Sequence, residues 1–133
     1  MHLPKIIEQA ELAVQELNWS ELSSLVEEVR RYNFGLIANQ SELAAKMHQQ
    51  GSEFTEDLRN LAQDVLDIYR DLEELATDFK EVVQTQEVDD VSEILDDFRT
   101  CHDDLQELKP QLDRSFETEE ASRLKLDDEF YLD

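Results

Sequence analysis

The sequence predicts an all-α protein, an elongated antiparallel helical bundle in which a long helical hairpin is joined by a third helix and by short terminal helices. Three observations carry that expectation. Only two Gly and two Pro occur in 133 residues, so tight turns are few and helix breakers rare. Apolar residues recur in alternating steps of three and four, without a miss, at Phe54, Leu58, Leu61, Val65, Ile68, Leu72, Leu75, Phe79 and Val82, which traces one face of a helix. The same rhythm returns at Val91, Ile94, Phe98, Cys101, Leu105, Leu108 and Leu112.

Taken in order, the elements begin with Pro4, which a first helical turn tolerates, followed on one face by Ile7, Ala10, Val14 and Leu17. That spacing predicts a short helix over residues 4–17. Asn18 with Glu21 three residues on reads as a capping box that restarts the helix at Trp19, with Trp19 as a plug under the hairpin end. The second helix should run to about Gln50 on a seam of Leu22, Val26, Val29, Asn33, Leu36, Gln40, Leu43 and Met47. Asn33, Asn39 and Gln40 interrupt its apolar face around Gly35, so its middle is expected to be kinked, polar inside or open to a ligand.

Gly51-Ser52 ends that helix and caps the next. So short a link requires an antiparallel hairpin of two helices, each roughly 45 Å long. On the third helix Ala62, Tyr69, Ala76 and Val83 widen the stripe of Phe54–Val82 by one position. A two-stranded coiled coil needs no such width; a bundle does. After the polar Gln84–Glu87 break, a fourth helix should end near Lys109-Pro110, where proline removes a backbone donor. A last weak helix from Pro110 would use Leu112, Phe116, Ala121 and Leu124. The domain reading is a single bundle over residues 1–125 and an acidic, aromatic tail over 126–133.

A chain of this length can bury about two-thirds of its unfolded surface without a metal or a disulfide. Its one cysteine, Cys101, suits a reducing compartment. Glu8, Glu11 and Glu16 run through the apolar periodicity of the first residues, which speaks against a signal peptide, and no apolar run approaches the ~20 residues of a membrane span. The expected location is cytoplasmic, with no membrane partner. Twelve Lys and Arg stand against thirty-four Asp and Glu, a net charge of −22. Residues 1–52 carry seven acids and four bases, residues 53–107 nineteen acids and four bases. A field of that sign repels nucleic-acid backbones and anionic surfaces, and favours a basic protein partner.

Catalytic motifs are scarce. Cys101 lies on the apolar seam and His102, one residue on, turns about 100° away on a helix, so the pair is no nucleophile–base dyad. With two glycines sixteen residues apart there is no phosphate-cradling loop. Di-iron bundles use Glu-x-x-His, which His2, His48 and His102 do not complete. The enzyme alternative is an all-α, divalent-metal-dependent nucleotide pyrophosphohydrolase, built on pairs such as Glu8/Glu11, Glu53/Glu56, Asp64/Asp67 and Glu93/Asp96. No cluster of Lys, Arg or Asn beside those pairs converges on a phosphate, so the reading is non-enzymatic, without a cofactor.

What solubility alone explains least is an aspartate on every second turn of the third helix, at Asp57, Asp64, Asp71 and Asp78. Glu would serve solubility with better helix propensity. Successive members lie about 10 Å apart along the axis, too far to share one metal ion, but suited to a basic strip on another chain. Asp67 and Glu74 extend the acidic surface, and Phe130-Tyr131 in the acidic tail resembles a short aromatic docking segment. The expected function is therefore an acidic adaptor, inhibitor or chaperone engaging a basic protein through Asp57, Asp64, Asp67, Asp71, Glu74, Asp78, Phe130 and Tyr131. A nucleic-acid mimic that blocks a DNA- or RNA-binding protein is the alternative within that class. The wide seams could also be satisfied by a second copy in a homo-oligomer.

Overall fold

Among the described residues, 2–50 and 56–131 in backbone and 2–48 and 56–117 in side chains, the computed structural model contains four α-helices. They are α1 (Leu3–Gln15), α2 (Trp19–Gln50), α3 (Glu56–Thr85) and α4 (Val88–Tyr131). The all-α bundle that the periodicity predicts is the fold of the chain. The Gly51-Ser52 turn and Phe54 lie outside the described residues, as do the side chains of Ala121, Leu124, Phe130 and Tyr131.

The two described turns are built alike. Leu17 takes a left-handed backbone with φ 54°, and Asn18 N–H donates to the Ala13 carbonyl at 2.8 Å while Leu17 N–H donates to that of Val14 at 3.1 Å. That pair of reversed bonds is the Schellman stop. Asn18 Oδ1 then accepts from Glu21 N–H at 3.1 Å, so one residue closes α1 and caps α2. Only that half of the expected capping box forms, because the Asn18 N–H is already committed to Ala13. Gln86, φ 57°, repeats the stop: its N–H reaches the Val83 carbonyl and that of Glu87 reaches Val82, both at 3.3 Å. Glu87 O at once accepts from Val91 N–H at 3.0 Å, and α4 begins without a linker.

Burial follows the predicted stripe and shifts its centre. On α3 Leu58, Val65, Leu72 and Phe79 are buried, and so are Ala62, Tyr69 and Val83 one flank over, whereas Leu61, Leu75 and Val82 on the other flank are only partly buried. The stripe serves two neighbours, since α3 packs against both α2 and α4. Asn33 shares a groove with Ala76 and Lys80, while Leu43 meets Tyr69 nearer the start of α3, so α2 and α3 are antiparallel. Phe79 meets Phe98 edge to face, centroids 6.1 Å apart, and Tyr69 meets Leu112, which makes α3 and α4 antiparallel as well. The thirteen residues of α1, about 20 Å of helix, pack on α2 and α4. The bundle thus has four helices where α2 and α4 begin and three beyond. Arg99 of α4 and Glu11 of α1 form an ion pair across that four-helix end.

One local expectation needs correction and another is narrowed. Helix α4 does not stop at Pro110; it passes through and reaches Tyr131. Proline inside a helix costs about 3 kcal/mol, but Pro110 and Gln106, whose carbonyl loses its donor, are both exposed to solvent. Leu112 and Phe116, 1% and 6% exposed, anchor the following turns, and burying each contributes about 1.5–3 kcal/mol. Of the alternatives for the middle of α2, the polar one forms: Leu36 and Leu43 are buried, Asn33 and Gln40 are half-buried and Asn39 is exposed. The amide oxygen of Asn33 is buried without a hydrogen-bond partner.

Candidate functional site

The acidic residues of α3 stand where a helical wheel puts them, outside the stripe. Asp57, Asp64, Asp71 and Asp78 are all exposed, as are Asp67 and Glu74. Asp67 has local partners, Gln63 Nε2 at 3.0 Å and Arg70 at 3.8 Å. The four aspartates of the row form no ion pair within 4.0 Å among the described residues. The bases of α2 do not reach them across the hairpin. Arg30 pairs with Glu27 at 4.0 Å, Arg31 with Glu28 at 3.1 Å and Lys46 with Glu42 at 3.7 Å, each within α2. One turn of helix brings those partners together at little entropic cost, which leaves the row on α3 uncompensated.

The electrostatics of Cys101 locate the row in the bundle. Burial pushes the thiol up to about 11, and three carboxylates push the same way: Asp71 from α3, then Asp104 and Asp97 from α4 itself. Asp71 therefore lies near enough to Cys101 to act on it, on the side of α3 turned towards α4. Helical register extends the arrangement. Asp64 and Asp78 share the position of Asp71, and Asp90 shares that of Asp97 and Asp104. By helical register the two rows lie on the flanks of α3 and α4 that meet near Cys101. Residues Asp90, Asp97 and Asp104 are absent from the sequence-based site. The signal was present, as the doublets Asp89-Asp90, Asp96-Asp97 and Asp103-Asp104 at seven-residue spacing. It acquires meaning only once α4 is known to lie against that flank of α3.

Other polar features are local. A recess of about 40 Å³ at the three-helix end is lined by Tyr69, Leu112 and Phe116 with Lys46, Lys109 and Asp113. That is room for a water or two, far below the ~300 Å³ of a small-molecule pocket. Burial, then Asp113, Tyr32 and Glu42, push the Tyr69 phenol up to about 12. Lys46 lies 5.2 Å from the Phe116 ring centroid, and Lys109 pairs with Asp113 at 3.0 Å, so the cations here are engaged with this chain. At the start of α4 a carboxyl–carboxyl hydrogen bond with Asp90 raises the Glu87 pKa, a consequence of crowding acids at one helix terminus. Among the described residues no group of three or more His, Cys, Asp or Glu is arranged to hold a metal ion, and no helix is long and apolar enough to cross a membrane.

Phe130 and Tyr131, the aromatic part of the sequence-based site, lie at the end of α4 with side chains outside the described residues. The chain matches no family model, no curated protein and no solved structure.

Proposed function

We propose that this protein is a non-enzymatic acidic binding module, an adaptor, inhibitor or chaperone whose α3–α4 edge engages a basic protein. One observation carries the reading. Among the described residues the exposed aspartate row of α3 has no cationic partner within 4.0 Å, and helical register sets a second row of aspartates, on α4, along the flank nearest Asp71. Like charges set side by side oppose folding, so a partner that neutralises them gains free energy the isolated chain forgoes. A basic helix with Lys or Arg on every second turn would match the ~10 Å spacing of each row. Encounter would be steered by the field, and apolar contacts at the edge, with Phe130 and Tyr131, would follow.

A nucleic-acid mimic would also present two lines of carboxylates. Charge density supports the first reading: each row supplies one carboxylate per ~10 Å, against one phosphate per 3.4 Å of a DNA strand. A sparse basic helix fits that spacing better than a groove built for duplex DNA.

The test uses a synthetic helical peptide with Lys at seven-residue intervals, and in parallel capture from native lysate. Affinity for the peptide should fall steeply between 50 mM and 500 mM NaCl. Asn at 64, 71 and 78 together should weaken it about tenfold, since each exposed pair is worth about 0.2–1 kcal/mol. Binding indifferent both to salt and to the triple substitution would overturn the proposal, and competition by duplex DNA for the captured partner would favour mimicry.

A further inference from the structure

The outer face of α2 departs from the rest of the surface. Phe34 and Ile37 are 61% and 44% exposed, and Ala38, Ser41 and Ala45 beside them are exposed as well. A side chain added at Gly35 would meet nothing within 4 Å. From Tyr32 to Ala45 the chain carries a single charge, Glu42. A molecule of net charge −22 here presents an apolar, nearly neutral strip.

The charges that flank the strip say what covers it. Arg31 and Glu42 stand symmetrically about a point between Leu36 and Ile37. Lay a second α2 antiparallel across the first at that point and Arg31 faces Glu42 of the second copy. A two-fold axis makes each contact twice. Between them the bulk of Phe34 falls against Ala38 of the second copy, large against small, as close helix packing requires. In the single chain Arg31 and Glu42 are held by exposed pairs within one helix, Arg31 to Glu28 and Glu42 to Lys46, which a neighbouring helix can exchange at little cost. Two copies meeting elsewhere would bring acidic surfaces together.

We infer that the outer face of α2, centred on Phe34, Ile37 and Ala38, is a homodimer interface in which α2 packs antiparallel on α2 of a second copy. It lies apart from the α3–α4 edge and stands whether or not that edge binds a basic partner. The two differ in sign of salt dependence. Screening of the repulsion between two chains of charge −22 outweighs the loss of two exposed ion pairs, so salt strengthens the dimer.

Sedimentation velocity and light scattering of the full chain test this over a concentration series at 50 mM and 500 mM NaCl. The expected result is a mass approaching twice 15.6 kDa, reached at lower concentration in the higher salt. Phe34→Asp, at an exposed position, should return the monomer with unchanged helical circular dichroism. Arg31→Glu and Glu42→Arg should each weaken association about tenfold, and the double exchange should restore it. A mass of one chain at every concentration and salt, or a dimer indifferent to Phe34→Asp and to both charge reversals, overturns the inference.

Discussion

At the scale of the residue, Cys101 reports on its surroundings better than any other side chain. Burial is the larger cause of its raised pKa, and Asp71, Asp104 and Asp97 add to it. Each disfavours the thiolate, which is the reactive form. With the pKa near 11, alkylation by iodoacetamide at pH 8 should run on the order of 100-fold slower than for an unperturbed thiol. The rate should climb about tenfold per pH unit until the pH approaches that value. Asp71→Asn removes one carboxylate from the opposite helix and should speed the reaction a few-fold at pH 8, read by mass spectrometry of quenched samples. A rate–pH midpoint near 8.5, unaffected by Asp71→Asn, would show that α3 and α4 do not bring these groups together.

At the scale of the element, both described turns place an ordinary L-residue where glycine is the usual choice. Left-handed backbone costs a non-glycine residue about 1–2 kcal/mol, and glycine returns about 0.5–1 kcal/mol of that through its freer unfolded chain. Gln86 is exposed, so its side chain contributes no packing. Gln86→Gly should therefore stabilise the protein by about 0.5–1 kcal/mol in urea unfolding; a loss of stability would mean that the Val82–Glu87 stop does not hold in solution. The same elements show what could be read from sequence. The three-and-four rhythm of Leu58 to Val82 is a property of one helix, and it delivered the long third helix and its buried stripe. Pro110 misled because its cost is local, while the burial of Leu112 and Phe116 that outweighs it is tertiary. The acidic site was half legible for a related reason. Asp57 to Asp78 form a row within one helix, but Asp90, Asp97 and Asp104 join it only through the packing of α4 on α3. The Glu11–Arg99 pair, 88 residues apart, has no sequence signature at all.

At the scale of the whole molecule the balance is between a well-formed apolar core and a surface that repels itself. The core runs from Leu3 to Phe116 without a buried charged residue among those described, so burial carries the stability. Against it stands a net charge of −22, concentrated on α3 and α4, whose aspartate rows lie on the flanks that meet near Cys101. The ion pairs that offset it mostly lie within single helices at 3.0–4.0 Å and are exposed, each worth well under about 1 kcal/mol. Salt weakens those short pairs slightly and the long-range repulsion strongly, because the Debye length falls from about 30 Å at 10 mM to a few Å near 1 M. Raising NaCl from 10 mM to 500 mM should therefore raise Tm, by about 3–10 °C if the repulsion relieved is about 1–2 kcal/mol. The increment should shrink when Asp64, Asp71 and Asp78 are Asn, because part of the repulsion has then been removed in advance, and the variant should melt higher than the parent at 10 mM. Differential scanning calorimetry at matched chain concentration, kept low so that association does not contribute, separates the outcomes. An equal increment in parent and variant would place the dominant repulsion elsewhere on the surface, and a Tm that fell with salt would show the short ion pairs to outweigh it.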